Sequence, residues 1–451
     1  MPKRPIQRIV GVSAVAIFLL SLAASPSVGQ QRETDNVIRF FQWKVSQDPD
    51  DSVNYDHLGG AYLQKARETG DPVYYGLSEK SYKQALSLMQ PRNPESAGSM
   101  AHLAGLYFSE HRFQEATELA KSALALEPEL LSAYATLGDA QLETGNYEEA
   151  AISYAKLRVP EGSLPPRPGL AYLWESRQAS RLYIEGRPQE AIEHMKAAIA
   201  RGREAGLPKE NIAWSQFSLG ELYYGTGDLT DADTSYQAAL QTYPDYHRAL
   251  AWLGQLRAAQ GRYQEAAELY SKAVAVIPLP VYAAALGDIY TRMGKGDEAK
   301  KEYDLVDFIA KLSALNQQLF RRELASFYAD HNVHLGEAVD LAREELKLRQ
   351  DVYTWDALAW AYFQNGETTE ALDSISHALA KGTKDPLLFF HAGMIYSAAG
   401  DIDKSRAFLK LALTINPHFH IRYADVATET LARLAEKKDT VVSQQEVSSA
   451  R

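Results

Sequence analysis

The residues best suited to chemistry are two pairs of closely spaced histidines. His331 and His334 lie three positions apart, and His418 and His420 lie two apart. Histidines at such short spacing are common metal ligands, but neither pair has an obvious third ligand nearby. The sequence therefore favours solvated histidines at loops and helix ends over a metal site.

Catalytic motifs are absent from the sequence. It contains no G-x-S-x-G nucleophile elbow, no G-x-x-x-x-G-K-S/T phosphate loop and no H-E-x-x-H zinc helix. It also contains no cysteine, which excludes disulfides and thiolate metal sites. Carboxylate pairs such as Glu148 and Glu149 lie beside alanines, as on a solvated helix face. We therefore predict a protein that is not an enzyme and binds neither a metal ion nor a cofactor.

A period of 34 residues organises the chain. The segment that begins at Leu219 and Gly220 recurs in outline from Leu253 and Gly254. The positions that both copies share in their second halves are Ala232 and Ala266, Tyr236 and Tyr270, and Pro244 and Pro278. A fixed period of this length indicates a stacked array of small units.

Each unit is expected to be a pair of helices that is unstable alone. Helices of about a dozen residues are marginal in water, so neighbouring pairs must cover their apolar faces. A small residue such as Gly220 lets helices approach closely, Tyr236 fills the remaining space, and Pro244 ends the second helix. In such an array, each pair is expected to contact only its neighbours in sequence.

This pattern resembles the tetratricopeptide repeat family, whose signature is W-x2-L-G-x2-Y, then A-x3-F, then P. The resemblance covers residues 36–417 and implies an all-α, right-handed superhelical solenoid of about ten antiparallel helix pairs. The units around Glu175 and Ala325 lack part of the motif, and extra residues around 67–72 predict a longer helix in the first unit.

The repeats and their flanking segments predict the domain organisation. A proline-rich stretch is expected either to connect two sub-arrays or to form an ordered loop within one superhelix. The predicted segments are a signal peptide (1–29), an N-terminal array that opens with a half repeat (30–158), a proline-rich connector (159–169), a C-terminal array (170–417), a capping helix (418–437) and a disordered tail (438–451).

The N-terminus has the layout of a secretory signal peptide. Lys3, Arg4 and Arg8 precede an uncharged run of 16 residues at 9–24, and small residues follow before Gln30. The run is shorter than the ~20 residues that a spanning helix needs. We expect an exported protein, periplasmic or secreted, with an uncleaved membrane anchor as the alternative.

Net charge limits the partners. The chain has a formal net charge of −11, and loss of the three leader cations would make it −14. Nucleic-acid binding requires a basic surface, and none is visible in the sequence. We therefore expect a protein or peptide ligand, no nucleic acid, and a membrane only if the leader is retained.

The resemblance implies that the first helices of the pairs line a concave groove. One face of these helices is rich in aromatic residues, which are frequent anchors at interfaces. The residues predicted to line this groove are Trp214, Glu221, Tyr224, Tyr353, Asp356, Trp360, Phe363, Phe390 and Met394. Packing against a neighbouring repeat is an equal alternative for Trp214 and Trp360, and is favoured for Phe217.

Some members of the family bind a terminal carboxylate through lysine and asparagine on the first helices. The corresponding positions of the first three units here include Asp56 and Asp139, which would repel such a ligand. We predict a non-enzymatic scaffold that binds a peptide or protein segment along its groove. The alternative is a structural subunit of an envelope or membrane-associated assembly that uses outer or terminal surfaces.

Overall fold

The computed structural model describes residues 30–90, 93–158, 167–316 and 320–435. The predicted signal peptide and tail, and most of the predicted connector, lie outside these residues. The described residues form twenty-two helices and no strand, as an all-α solenoid requires. The helices are α1 (Gln30–Gln47), α2 (Ser52–Thr69), α3 (Val73–Leu88), α4 (Ser96–Ser109), α5 (Phe113–Leu126), α6 (Leu131–Glu143), α7 (Tyr147–Ala155), α8 (Pro168–Ile184), α9 (Pro188–Glu204), α10 (Lys209–Gly225), α11 (Leu229–Thr242), α12 (His247–Ala259), α13 (Tyr263–Val276), α14 (Pro280–Arg292), α15 (Gly296–Asn316), α16 (Arg321–His331), α17 (Leu335–Leu346), α18 (Val352–Gln364), α19 (Thr368–Leu379), α20 (Pro386–Ala398), α21 (Ile402–Ile415) and α22 (423–435).

Helices α2 to α21 form ten antiparallel pairs, the number that the period predicts. In five of these pairs, a glycine of the first helix lies against a tyrosine ring of the second. A Cβ placed on Gly220 would overlap the ring of Tyr236, which is fully buried. The same overlap occurs between Gly138 and Tyr154, so the repeat signature encodes this close helix contact directly.

The ends of the array differ slightly from the predicted boundaries. The predicted connector extends to residue 169, but α8 already begins at Pro168, which occupies the first turn of the helix. Proline is tolerated there because the amide it lacks has no helical acceptor. The predicted capping helix over 418–437 is α22 at 423–435, so residues 418–422 precede the helix and 436–437 lie outside the described residues.

The expectation that each pair contacts only its sequence neighbours is wrong. Arg349, which follows α17, forms an ion pair with Glu143 at the end of α6, 206 positions away. The backbone amide of Val352 donates a hydrogen bond to the Tyr147 hydroxyl (2.9 Å). The superhelix therefore coils tightly enough that its second half packs on its first. We call α2–α11 the first layer and α12–α21 the second layer.

The contact between the layers is regular. We number the pairs from 1 (α2 and α3) to 10 (α20 and α21). In pairs 1, 3, 4 and 5, the turn between the two helices carries a glycine at positive φ. This turn contacts the segment that follows the second helix of the pair five pairs further along the chain. We call these the docked turns. Their glycines and the residues that a Cβ on each would overlap are Gly70 with Ile277, Gly145 with Gln350, Gly186 with Gly382, and Gly227 with Ile415.

Corresponding turns in the second layer are open. Pairs 6, 7, 9 and 10 also carry a turn glycine at positive φ, but a Cβ added there would meet no heavy atom within 4 Å. We call them the open turns, and their glycines are Gly261, Gly294, Gly366 and Gly400.

Candidate functional site: the inner face of the superhelix

The residues predicted to line the groove on each first helix share one face of that helix. On α10 this face carries Trp214, Phe217, Glu221 and Tyr224 at spacings of three and four residues, which places them on one side of the helix. Phe217 is buried and makes aromatic contacts with Tyr236, Tyr246 and Trp252 of the neighbouring helices. The prediction that Phe217 packs within the array is confirmed.

Trp360 is engaged in packing within the protein. Its indole is 2 % exposed, and its Nε1 donates a hydrogen bond to Asp330 Oδ1 (2.8 Å). The ring stacks on His391 at 4.2 Å between centroids and meets Tyr423 of α22 edge-on at 5.4 Å. Packing, one of the two alternatives for Trp360, therefore accounts for its whole surface.

The terminal segment also covers other predicted groove residues. Phe390 has no exposed surface and stacks on Tyr423 at 4.7 Å. The Tyr224 hydroxyl donates a hydrogen bond to the His418 carbonyl (2.8 Å), and the Asn416 side-chain amide donates to the Tyr224 carbonyl (2.8 Å). Sequence reasoning did not reveal that Asn416, His418 and Tyr423 contact these side chains.

Five of the nine predicted groove residues keep part of their surface accessible. They are Trp214, Glu221, Tyr353, Phe363 and Met394. Both layers contribute, because α10 belongs to the first layer and α18 and α20 to the second. The electrostatic neighbours of Tyr353 include Tyr183, Glu221 and Asp385. We call the surface formed by Trp214, Glu221 and Tyr353 the inner patch.

Burial changes the acidity of the carboxyl groups on this surface. It raises the pKa of Glu221 to about 7, although the nearby charge of Arg248 and a hydrogen bond from Trp252 act in the opposite direction. Burial also raises the pKa of Asp385, whose carboxylate caps α20 by accepting hydrogen bonds from the backbone amides of Leu387 and Leu388. Near neutral pH, a substantial fraction of Glu221 is therefore protonated and can donate a hydrogen bond.

Carboxylates paired with arginine or histidine side chains connect successive first helices. Asp139 binds Arg177 at 2.6 Å, and Asp356 lies 2.9 Å from His391 Nδ1. Asp56 is 2.9 Å from His102 Nδ1; burial raises the pKa of Asp56, but the hydrogen bond and charge of His102 outweigh this effect and lower it. These pairs bind the fold together, and Asp56, Asp139 and Asp356 are all engaged internally.

The two pairs of closely spaced histidines lie at helix ends and loops. His331 Nδ1 donates to the Phe327 carbonyl (2.8 Å), and Nε2 lies 2.9 Å from Asp288 Oδ1. His334 is an exposed residue at positive φ before α17, whereas His418 and His420 precede α22. Across the described ranges, no group of three or more histidine or carboxylate side chains is arranged to hold a metal ion.

Sequence reasoning missed the surface between the layers. Arg349 contacts Glu143, lies 3.1 Å from Asp351 and 3.8 Å from Glu345, and its guanidinium stands 5.3 Å from the centre of the Phe113 ring. No local pattern distinguishes Arg349 from an exposed arginine at a helix end. The contact of Arg349 with Glu143 depends on the superhelical pitch, which brings residues about 200 positions apart together.

Comparison with known proteins agrees with the helix pairs. Family models described as tetratricopeptide repeat match residues 107–158, 171–245, 217–278 and 388–419. Protein CTR9 homolog of Arabidopsis thaliana is 25 % identical over 217 residues, which cover 44 % of this chain and 19 % of that protein. The chain therefore spans about a fifth of the length of this relative.

Solved structures that this chain matches include the APC/C hetero-tetramer Cut9-Hcn1, with 15 % identity, a TM-score of 0.32, and coverage of 90 % of this chain and 93 % of that one. Yeast Tom70 shares 13 % identity with a TM-score of 0.32 over 86 % of this chain and 96 % of its own. A Parabacteroides merdae tetratricopeptide repeat protein shares 18 % identity with a TM-score of 0.34, and the match covers 59 % of this chain and 99 % of that one. The matched repeat models, together with the ten helix pairs and their glycine–tyrosine contacts, show that this chain belongs to the tetratricopeptide repeat family.

Proposed function

We propose that this protein is an exported, non-enzymatic scaffold that binds an extended peptide or protein segment at the inner patch. Tetratricopeptide repeats support a role in protein interaction, and the accessible aromatic rings of the inner patch favour it as the binding surface. The observation that carries the proposal is that Trp214 and Tyr353 remain half-buried while aromatic neighbours such as Phe217 and Trp360 are fully packed. Half-buried aromatic rings offer contact area at low entropic cost.

The chemistry of the patch favours a ligand with both apolar and polar groups. The rings of Trp214 and Tyr353 can take apolar side chains, whereas Glu221 can exchange hydrogen bonds with a peptide backbone or a cationic side chain. Arg248 is exposed and close enough to Glu221 to influence its pKa. The negative net charge of the chain likewise supports a protein ligand rather than a nucleic acid.

Selection of binders from a phage-displayed library of unstructured peptides would test this proposal. The affinity of each protein for the selected peptides is then measured with fluorescent labels. We expect Trp214→Ala and Tyr353→Ala to weaken binding by about tenfold or more, the effect of losing an aromatic anchor. The matched control is Phe308→Ala, because Phe308 is an exposed ring on the outer helix α15. Equal affinity of all four proteins for the selected peptides would refute binding at the inner patch.

Export is the second part of the proposal. It is supported by the charged start and apolar run of residues 1–29, which precede α1 directly. No helix among the described residues is long and apolar enough to cross a membrane. Mass spectrometry of the protein from fractionated cells would identify its N-terminus. A cleaved N-terminus near Gln30 in the exported fraction is the expected result, and an intact leader on protein confined to the cytosol would contradict export.

A further inference from the structure

The first helix of the array exposes a row of large apolar side chains. On α1, Val37, Phe40 and Trp43 are 44 %, 51 % and 56 % exposed. The opposite face of the helix is firmly packed, because Ile38 is buried against α2 and Phe41 stacks on His57 at 5.0 Å. Terminal repeats of a solenoid need a polar outer face to remain soluble. On α1 these three large apolar side chains interrupt that face.

Two charged residues flank this row on the same side of α1. Glu33, Val37, Phe40 and Lys44 are spaced by four, three and four residues, so they form one stripe along the helix. Within the described residues, neither Glu33 nor Lys44 forms an ion pair through its side chain, whereas Asp35 on the inner side binds Lys65 at 2.7 Å. The stripe therefore has an acidic end, an apolar middle and a basic end.

This stripe is complementary to itself in antiparallel orientation. Glu33 and Lys44 are equidistant from the point midway between Ile38 and Arg39, and so are Val37 and Phe40. A two-fold axis at that point would place Glu33 opposite the second copy's lysine at position 44, twice, and Val37 opposite its phenylalanine. A two-fold interface requires one surface that matches itself, and α1 meets this requirement in charge and in apolar contact.

We propose that α1 is a homodimerisation surface on which two copies of this chain pair antiparallel through the stripe Glu33, Val37, Phe40 and Lys44, with Trp43 at its edge. The dimer leaves the inner patch of each copy accessible to a ligand, because α1 lies at the end of the array. The proposal is independent of peptide binding at the inner patch, and each can fail without the other.

Sedimentation velocity of the purified full chain over a range of concentrations tests the proposal. The wild type is expected to shift reversibly from monomer to dimer, and Phe40→Ala to weaken the dimer by at least about tenfold, because each dimer loses two central rings. The matched control is Ile152→Ala on α7, where the side chain is 68 % exposed. Circular dichroism and melting of each variant would establish that it is folded. The proposal would be overturned if the wild type were monomeric at every concentration, or if Phe40→Ala left the dimer dissociation constant unchanged.

Charge reversal tests the antiparallel register. Glu33→Lys and Lys44→Glu should each weaken the dimer by about tenfold, since two attractive pairs become repulsive in either variant. The double variant Glu33→Lys/Lys44→Glu should restore wild-type dimerisation, because the reversed charges face each other again.

The same variants exclude the other occupants of this surface. If α1 instead binds a lipid surface, the wild type should bind anionic phosphatidylserine–phosphatidylcholine vesicles. Glu33→Lys should then strengthen vesicle binding, and the double variant should not restore dimerisation. Binding to an unrelated protein would likewise lack the rescue. Failure of the double variant to recover dimerisation in a folded protein overturns the proposed pairing.

Discussion

The docked turns and the open turns have nearly the same local sequence and backbone, yet their surroundings differ completely. Gly186 and Gly366 both follow a first helix at φ of 71° and 85°. A Cβ on Gly186 would overlap the carbonyl of Gly382, whereas one on Gly366 would meet nothing within 4 Å. The repeat motif thus specifies the turn, but only the coiling of the whole array decides whether a turn supports another layer.

Side-chain contacts reinforce the docked turns. The Thr383 hydroxyl donates a hydrogen bond to the Ile184 carbonyl (2.5 Å), and Lys381 binds Glu148 (2.6 Å). The largest hydrophobic cluster joins residues of α6 and α7, including Tyr147 and Tyr154, with residues of α14 to α22. The two layers therefore share a core, and we expect them to unfold cooperatively.

The largest predicted effect is at Arg349, where the layers meet. Arg349→Ala would remove the cation that Glu143, Asp351 and Glu345 share, and it would leave the longer pair of Arg322 with Asp351 (3.4 Å). We expect a cost of about 3–5 kcal/mol in the free energy of unfolding. Urea denaturation followed by circular dichroism measures this change. The matched control is Arg262→Ala at an open turn, where an exposed pair with Glu265 is lost and little change is expected. Equal effects of the two substitutions would contradict the distinction between docked and open turns.

A smaller effect is predicted for the turn glycines themselves. Alanine at positive φ costs about 1 kcal/mol at any turn. Gly186→Ala should cost about 2–4 kcal/mol, because its Cβ also displaces the Gly382 backbone. Gly366→Ala carries the backbone cost alone and serves as the control.

Hydrogen exchange distinguishes the two glycine variants by location. Exchange should increase around residues 380–386 in Gly186→Ala, although these residues are far from the substitution in sequence. In Gly366→Ala, the increase should stay within the turn and its own two helices. Faster exchange confined to the substituted turn in both variants would show that the layers are not coupled there.

The smallest predicted effect concerns Glu221 of the inner patch, whose pKa is raised by burial. The unfolded chain releases the Glu221 proton near the ordinary value of 4.5, whereas the folded protein retains it up to about pH 7. The folded state binds more protons in this interval, so this group makes stability fall as pH rises from about 4.5 to 7 and adds no further change above it.

Glu221→Gln removes this titration. Compared with wild type, the variant should lose less stability between pH 5 and 7.5 and should be more stable at pH 8 by about 1–3 kcal/mol. Thermal melts of both proteins across this range provide the measurement, and the difference between them isolates Glu221 from the histidines. Parallel pH profiles would show that Glu221 titrates in the folded protein as it does in the unfolded chain.

The sequence predicts the local structure well because its determinants are local. Gly220 and Tyr236 recur at fixed spacing, and their close contact follows from helix geometry alone. Trp360 shows the limit of this reasoning. Its position on the inner face follows from the repeat, but its burial depends on Tyr423 of α22. The contact between Gly145 and Gln350 is still less accessible to sequence reasoning, because small rotations between successive pairs accumulate over five pairs.

Zero-length carbodiimide cross-linking of the native protein tests whether the second layer packs on the docked turns of the first. Lys381 and Glu148 are in contact although 233 positions separate them. Mass spectrometry of the monomer fraction should therefore identify an amide bond between these two side chains, alongside the local pair Lys300–Asp304 as a positive control. Recovery of the local cross-link without the Lys381–Glu148 cross-link would mean that the superhelix is open and that the two layers are not in contact.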